Sequence, residues 1–234
     1  MTTRDIAQLI DHSLLHPAMT DDEVRQGCEL ARRYEVKAVC VKPSSIAQAK
    51  EILKGSSVAI CAVVGFPHGN SMAMSKLRET LEALAAGAHE IDMVINVGKA
   101  LSGEYEYVKE EIRAVNRACA RTASPLKVIF ENDFLTDEII IELCKVCTDV
   151  NVAYVKTSTG YGFVKQPNGD YNYKGATEHH VKLMRQHCAA YIRIKAAGGI
   201  RTLDDVLKFH ALGCSRIGAS ATASILDEAK KRGL

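Results

Sequence analysis

The sequence predicts an α/β chain folded as a single-domain (β/α)8 TIM barrel, and three observations carry that prediction. Apolar runs of four to eight residues alternate with amphipathic helical patterns along the whole chain, the signature of βα units around a parallel sheet. Eight such runs occur, each followed by a helix, which is the number a closed barrel needs. No low-complexity linker divides the chain, and 234 residues suit one barrel, so residues 1–234 read as one domain.

The elements follow in order. After a first helix, Leu9–Leu15 forms the first strand and ends near Pro17. Thr20 caps a helix whose first turn holds Asp21, Asp22 and Glu23, acids that complement the helix dipole. Ala38–Val41 is the second strand, followed by a helix from about Ser44 to Lys54. The third strand, Val58–Val64, breaks at Gly65-Phe66-Pro67, and a long helix from Met72 stops at Gly87. Glu90–Asn96 is the fourth strand, with its helix from Tyr105 to Ala120. Leu126–Glu131 is the fifth, with a helix from Thr136. The sixth strand ends in Lys156. A helix from Thr177, a seventh strand Tyr191–Lys195, a helix capped by Thr202 and an eighth strand Arg216–Gly218 follow, and a last helix runs from Thr222 to Arg232. Ala85–Ile91 and Ala211–Ile217 echo each other as helix end, glycine and strand start, as repeated units do. One connection is long. Between Gly160 and Thr177, aromatic residues and valine flank Pro167-Asn168-Gly169-Asp170, and this Asn-Gly turn predicts a β-hairpin over 163–173, a lid or an oligomer contact.

Composition narrows the function. A net charge of +2 with interspersed signs argues against nucleic acid or an anionic membrane as partner. The polar amino terminus and the short apolar runs show no signal peptide and no membrane span. Several of the eight cysteines lie in apolar segments, so free thiols in a reducing cytoplasm are expected, with Cys144-x-x-Cys147 on a helix face. The histidines show no metal-ligand spacing, and the adjacent His179 and His180 are expected to point apart.

In a barrel, catalytic groups stand at the C-terminal ends of several strands. Polar residues there are Asp11, Cys40, Asp92, Asn96, Glu131, Lys156 and Lys195. Lys156 follows the apolar run Val152–Val155, where a charged amine is costly and a neutral nucleophile is useful. Neighbouring strands would bring Lys195 beside it, and two ammonium groups so close should ease proton loss from at least one. Asp92 can relay protons, and Asp11 can hold Lys195. The same charges could also serve only to pair one another. Gly198-Gly199 and Gly218-Ala219-Ser220, in the loops after the last two strands, have little side-chain bulk and leave backbone N–H groups free for a phosphate.

These features sit in stretches that span nearly the whole chain: Ile10-Asp11-His12, Val39-Cys40-Val41, Val64–Gly69, Glu90–Gly98, Lys156–Gly160, Lys195–Arg201 and Arg216–Ser220. In them the chain resembles the deoxyribose-phosphate aldolase family, class I Schiff-base aldolases. The resemblance implies reversible cleavage of 2-deoxy-D-ribose 5-phosphate to acetaldehyde and D-glyceraldehyde 3-phosphate, with no metal and no cofactor. It makes Lys156 the Schiff-base residue, Lys195 and Asp92 the proton donors and acceptors, and Asp11 the group that orients Lys195. Cys40 would line the pocket. Gly160, Gly198, Gly199, Gly218 and Ser220 would bind phosphate. A cytoplasmic homo-oligomer, with a dimer favoured, follows from the same family.

The chain also departs from the family pattern. Ala221 stands where a second small polar residue is usual, and Tyr161 where some members have lysine. Asn132 replaces a threonine after Glu131, the 163–173 hairpin is long, and Gly233-Leu234 lacks the terminal tyrosine of some members. All fall around the acceptor aldehyde or its phosphate. Two alternatives therefore stay open: the same Schiff-base chemistry on another sugar or sugar phosphate, and a non-catalytic barrel that binds a sugar phosphate.

Overall fold

Alternation of side chains across short strands builds the molecule, which is described over residues 1–234 by a computed structural model. Eight parallel strands close into a barrel: β1 (Ile10–Leu14), β2 (Ala38–Val41), β3 (Ala59–Val64), β4 (Glu90–Val94), β5 (Leu126–Ile129), β6 (Tyr154–Lys156), β9 (Arg193–Ala197) and β10 (Cys214–Ala219), with β10 pairing back onto β1. The remaining strands, β7 (Val164–Lys165) and β8 (Tyr171–Asn172), form the expected antiparallel hairpin between β6 and β9.

Because strand side chains alternate faces, each strand carries two sequences in one. Outward residues such as Val39, Val41, Ile60, Ile91, Met93, Val128, Val155, Ile194 and Ile217 pack into one core of 53 buried residues beneath the helices. The interior is divided. Ala38 and Cys40 of β2, with Cys61 and Val63 of β3 and nearby Leu15, make a small apolar cluster. The alternate positions of the other strands hold Asp11, Glu90, Asp92, Lys127, Lys156, Lys195 and Arg216, all buried.

The outer layer is α1 (Thr3–Ala7), α2 (Asp21–Arg33), α3 (Ile46–Ile52), α4 (Ala73–Ala86), α5 (Val97–Leu101), α6 (Tyr105–Ala120), α7 (Asp137–Val150), α8 (Glu178–His187), α9 (Leu203–Ala211) and α10 (Thr222–Lys231). Thr20 and Thr202 cap α2 and α9 in reciprocal capping boxes with Glu23 and Asp205. Gly87 ends α4 at φ 114°, a left-handed turn that lets the chain enter β4 at once.

Several boundaries differ from the sequence reading for local reasons. The fourth strand stops at Val94 because the Asn96 side chain accepts from Lys99 N (3.1 Å) and starts α5, a helix absent from that reading. The fifth stops at Ile129. Glu131 then adopts φ 61°, ψ 62° and leads into a 3-10 turn, Asn132–Phe134. The helix expected from Ser44 begins as a 3-10 turn at Pro43–Ser45, and the last two barrel strands run past their expected ends, to Ala197 and Ala219. All eight cysteines are free and buried, Cys144 and Cys147 among them on the core face of α7. No helix is long and apolar enough to cross a membrane.

Candidate active site

Strand register assembles the charged residues. Lys156 of β6 pairs with Lys195 of β9, and Asp92 of β4 pairs with Lys127 of β5. Asp92 is the hub: its Oδ2 accepts from Lys156 Nζ and Lys195 Nζ, each at 2.8 Å, and its Oδ1 accepts from Lys127 Nζ at 2.8 Å. Asp11 binds Lys195 on one oxygen and Arg216 on the other, and Arg216 also binds Glu90. Glu90 Oε2 lies 2.7 Å from Lys127 Nζ, an ion pair off the hydrogen-bonding direction.

Four cations thus face three carboxylates in a buried interior, which leaves one excess positive charge when all are ionised. Burial alone would push the Asp92 carboxyl up, but Lys127, Lys156 and Lys195 together hold it well below the usual range. Asp11 is likewise drawn down, to about 2, by Lys195, Lys127 and Arg216 against its burial. Lys195 is not the lysine whose proton the expected repulsion loosens. Burial disfavours its charge, yet Asp11 and Asp92 prevail and raise its affinity for the proton. Asp11, and after it the Asp92 carboxylate shared by the two lysines, reverse the sign, and strand spacing shows neither contact.

A cavity of about 550 Å³ opens above this cluster at the C-terminal end of the barrel. Lys156 reaches it, and Gly160, Gly198, Gly199, Gly218 and Ser220 line the same space. Thr157 ties the strand ends together: its hydroxyl donates to Ala197 O (2.9 Å) and accepts from Ala197 N (3.0 Å). Tyr161, Phe163 and Tyr173 add an aromatic wall, with Phe163 and Tyr173 edge to face at 5.3 Å and Tyr161 edge to face with Phe66 at 5.7 Å.

Cys40, expected in the wall, lies beneath it. It is 1% exposed, with its thiol 3.8 Å from Asp92 Oδ2 and 3.9 Å from the Cys61 thiol. The contact with Cys61, then the nearby Lys195 and Lys156 ammonium groups, draw the Cys40 thiol down against its burial. Cys61 donates to Asp92 Oδ1 (3.0 Å), and burial pushes its thiol well up.

Lys127, Glu90, Arg216 and Cys61 had no place among the sequence candidates, which came from strand ends. A charged residue inside an apolar strand was the available signal, sharpest in Glu90-Ile91-Asp92, where two acids two apart share one face. Asn96 caps α5 and stays outside the cluster. His179 and His180, expected to diverge, both turn toward Asp137, with Nε2 atoms 2.6 Å and 4.0 Å from its carboxylate oxygens.

Comparison with known proteins agrees with the site. The model of the DeoC/LacD family aldolases matches residues 6–226. A deoxyribose-phosphate aldolase of Rhodopirellula baltica is 42% identical over 228 residues, 97% of this chain and 90% of the relative. One of Caldanaerobacter subterraneus subsp. tengcongensis is 42% identical over 231 residues, 98% of this chain and 96% of the relative. A tetrameric deoxyribose phosphate aldolase structure from Aeropyrum pernix superposes with a TM-score of 0.87 at 27% identity, covering 99% of this chain and 93% of that one. With a family match over most of its length and a barrel that gathers two buried lysines on one aspartate, this chain belongs to the DeoC/LacD family of aldolases.

Proposed function

We propose that this aldolase cleaves 2-deoxy-D-ribose 5-phosphate reversibly to acetaldehyde and D-glyceraldehyde 3-phosphate through a Schiff base on Lys156. One observation carries the reading: of the cations in the buried cluster, Lys156 alone lines the cavity, and the cluster holds one positive charge too many. Carbonyl addition requires a neutral amine, and Lys156 is the one amine of the cluster placed to meet a substrate carbonyl. Lys195 is held charged beside it by Asp11 and Asp92.

The Lys156 amine adds to the aldehyde carbon of the substrate, and the resulting carbinolamine loses water to give a protonated imine. Removal of the proton from the C3 hydroxyl lets the C2–C3 bond break, its electrons flowing into the imine to form an enamine. Glyceraldehyde 3-phosphate leaves. Protonation of the enamine carbon and hydrolysis by water release acetaldehyde and restore the amine. Asp92, 2.8 Å from both lysines, is the proton carrier in these steps, and Lys195 exchanges its proton through Asp92. Asp11 keeps Lys195 in place. Within the same cavity, the backbone N–H groups of Gly198 and Gly199, with Gly160 and the Ser220 hydroxyl, receive the phosphate, while Gly218, which the structure places inside β10 and not in the loop after it, leaves room by its missing side chain.

The names of the relatives support this substrate. A second reading keeps the chemistry and changes the sugar, and the aromatic wall of Tyr161, Phe163 and Tyr173 favours it. The cavity presents no lysine other than Lys156. We read residues 1–234 as one aldolase domain that works as a cytoplasmic homodimer, in keeping with its eight free thiols; light scattering tests the assembly. The deciding experiment traps the enzyme with acetaldehyde and borohydride, maps the adduct, and assays cleavage of deoxyribose 5-phosphate. A two-carbon adduct on Lys156 with cleavage is expected. An adduct without cleavage moves the assignment to another sugar, and no adduct overturns the Schiff base.

A further inference from the structure

A tripeptide outside the cavity controls the loops that line it. After β5 the chain turns through Glu131, Asn132 and Asp133, and each of the three holds a different part of the β6–α8 segment. Asn132 N donates to Thr157 O at 3.0 Å. Glu131 accepts from Thr159 N at 3.0 Å through one carboxylate oxygen and from the Thr159 hydroxyl through the other. The Thr159 hydroxyl in turn accepts from Tyr161 N at 2.9 Å. Asp133 accepts from Lys174 N at 2.6 Å and from Gly175 N at 3.0 Å.

Glu131 and Asn132 therefore fix the first root of the hairpin segment, which carries Gly160, and Asp133 fixes the second. The second root reaches the other glycine loop. Ala176 N donates to Gly198 O at 3.1 Å, and Gly175 lies so close that an added Cβ would stand 2.5 Å from the Gly198 carbonyl atoms. Gly162 is equally tight on the first root, where a Cβ would meet Glu131 Cδ at 2.6 Å. Glu131 itself holds a left-handed backbone at φ 61°, a strained position for a non-glycine residue that persists only when surrounding contacts over-determine it. Neither Glu131 nor Asp133 lines the Lys156 cavity.

We propose that Glu131 and Asp133 are positioning residues for phosphate recognition: they set Gly160 and, through Gly175, Gly198 at the distance at which their backbone groups receive the phosphorylated end of the substrate. This rests on the reading of Lys156 as nucleophile and of the glycine loops as the phosphate site. The carboxylates act on substrate affinity through the backbone, so their loss falls on the phosphorylated end and spares the carbonyl end.

The test compares KM for deoxyribose 5-phosphate with KM for unphosphorylated deoxyribose in Asp133→Ala, Asp133→Asn and Gly175→Ala. Asp133→Ala is expected to raise KM for the phosphorylated sugar about tenfold, the effect of losing a positioned hydrogen bond, with kcat and the KM of the free sugar changed less than about threefold. Asp133→Asn keeps an acceptor oxygen and recovers most of that loss. Gly175→Ala, which disturbs the Gly198 contact and leaves both carboxylates in place, reproduces the selective rise. KM does not depend on the folded fraction, so a less stable variant is still read. An unchanged ratio of the two KM values in Asp133→Ala and Gly175→Ala, or an equal rise in both, overturns the proposal. Borohydride trapping of acetaldehyde on Lys156 in the parent enzyme and in each variant separates this result from a failed mechanism. Trapping with an unmoved ratio sinks only the positioning role, whereas an untrapped parent enzyme sinks the nucleophile assignment on which it rests.

Discussion

Two buried ion clusters meet β4, and they respond to burial in opposite ways. Between α4 and α6, Lys76 Nζ donates to Glu111 (2.7 Å) and to Val94 O (2.9 Å), while the other Glu111 oxygen accepts from Asn96 N (2.6 Å). Both side chains are fully buried. Burial pulls the Lys76 ammonium below its ordinary value and pushes the Glu111 carboxyl above its own, despite the partner. Inside the barrel the directions reverse: Asp11 and Asp92 are drawn down and Lys195 and Lys127 are raised. One partner fails to repay desolvation and several do, which is why the larger cluster can stay ionised when buried. The smaller pair is charge-balanced and holds the end of β4. The larger carries an excess positive charge beside a cavity.

Four substitutions sharpen this contrast. Lys156→Met should lower turnover by about four orders of magnitude or more, as loss of a covalent nucleophile does, while the melting temperature stays level or rises because the excess charge is gone. A marked fall in melting temperature would contradict the charge count. Lys195→Met should cost about two to four orders of magnitude in kcat, the scale of acid–base assistance, with acetaldehyde trapping slowed on the same Lys156. Near-normal kcat would remove Lys195 from the mechanism. Lys76→Met should instead destabilise the fold by about 3–5 kcal/mol in urea titration, since it strands a buried carboxylate, and Lys76→Met/Glu111→Gln should recover most of that. If the double variant is as unstable as the single, the pair is more than a balanced structural tie.

The smallest effect concerns Glu131. Burial, opposed by the two Thr159 hydrogen bonds, raises its carboxyl from 4.5 to about 7. For a carboxyl raised in the folded state, the unfolded chain releases its proton first. The contribution to stability is therefore full below about pH 4.5 and is lost as pH rises through about 7. Glu131→Gln, which cannot titrate, should flatten this part of the stability–pH curve measured by chemical unfolding. An unchanged slope would place the titration on another group.

Much of this was open to a reading of the sequence. The alternation of apolar strands with amphipathic helices predicted the barrel, and the Asn168-Gly169 turn predicted the hairpin now seen as β7 and β8. Lys156, Lys195, Asp92 and Asp11 were candidates because each interrupts or ends an apolar run, and the fold brings all four together. Lys127 and Arg216 escaped because they sit early in their strands, where a barrel end is not expected to act. Their partners, Asp92 for one and Asp11 and Glu90 for both, come from other strands, 35 residues or more away in the chain.

The sequence by itself determined the period-2 placement of charge and apolar bulk, the helix caps and the turn glycines, because these depend on neighbours within a few residues. Only the tertiary structure decided the electrostatics. The sign of the Lys195 shift depends on Asp11 and Asp92 both reaching it, and the place of Cys40 below the cavity depends on how β2 and β3 pack. The hold of Glu131 and Asp133 on Thr159 and Gly175 spans 28 and 42 residues. Coulomb and hydrogen-bond energies follow distance in space, and barrel closure sets those distances.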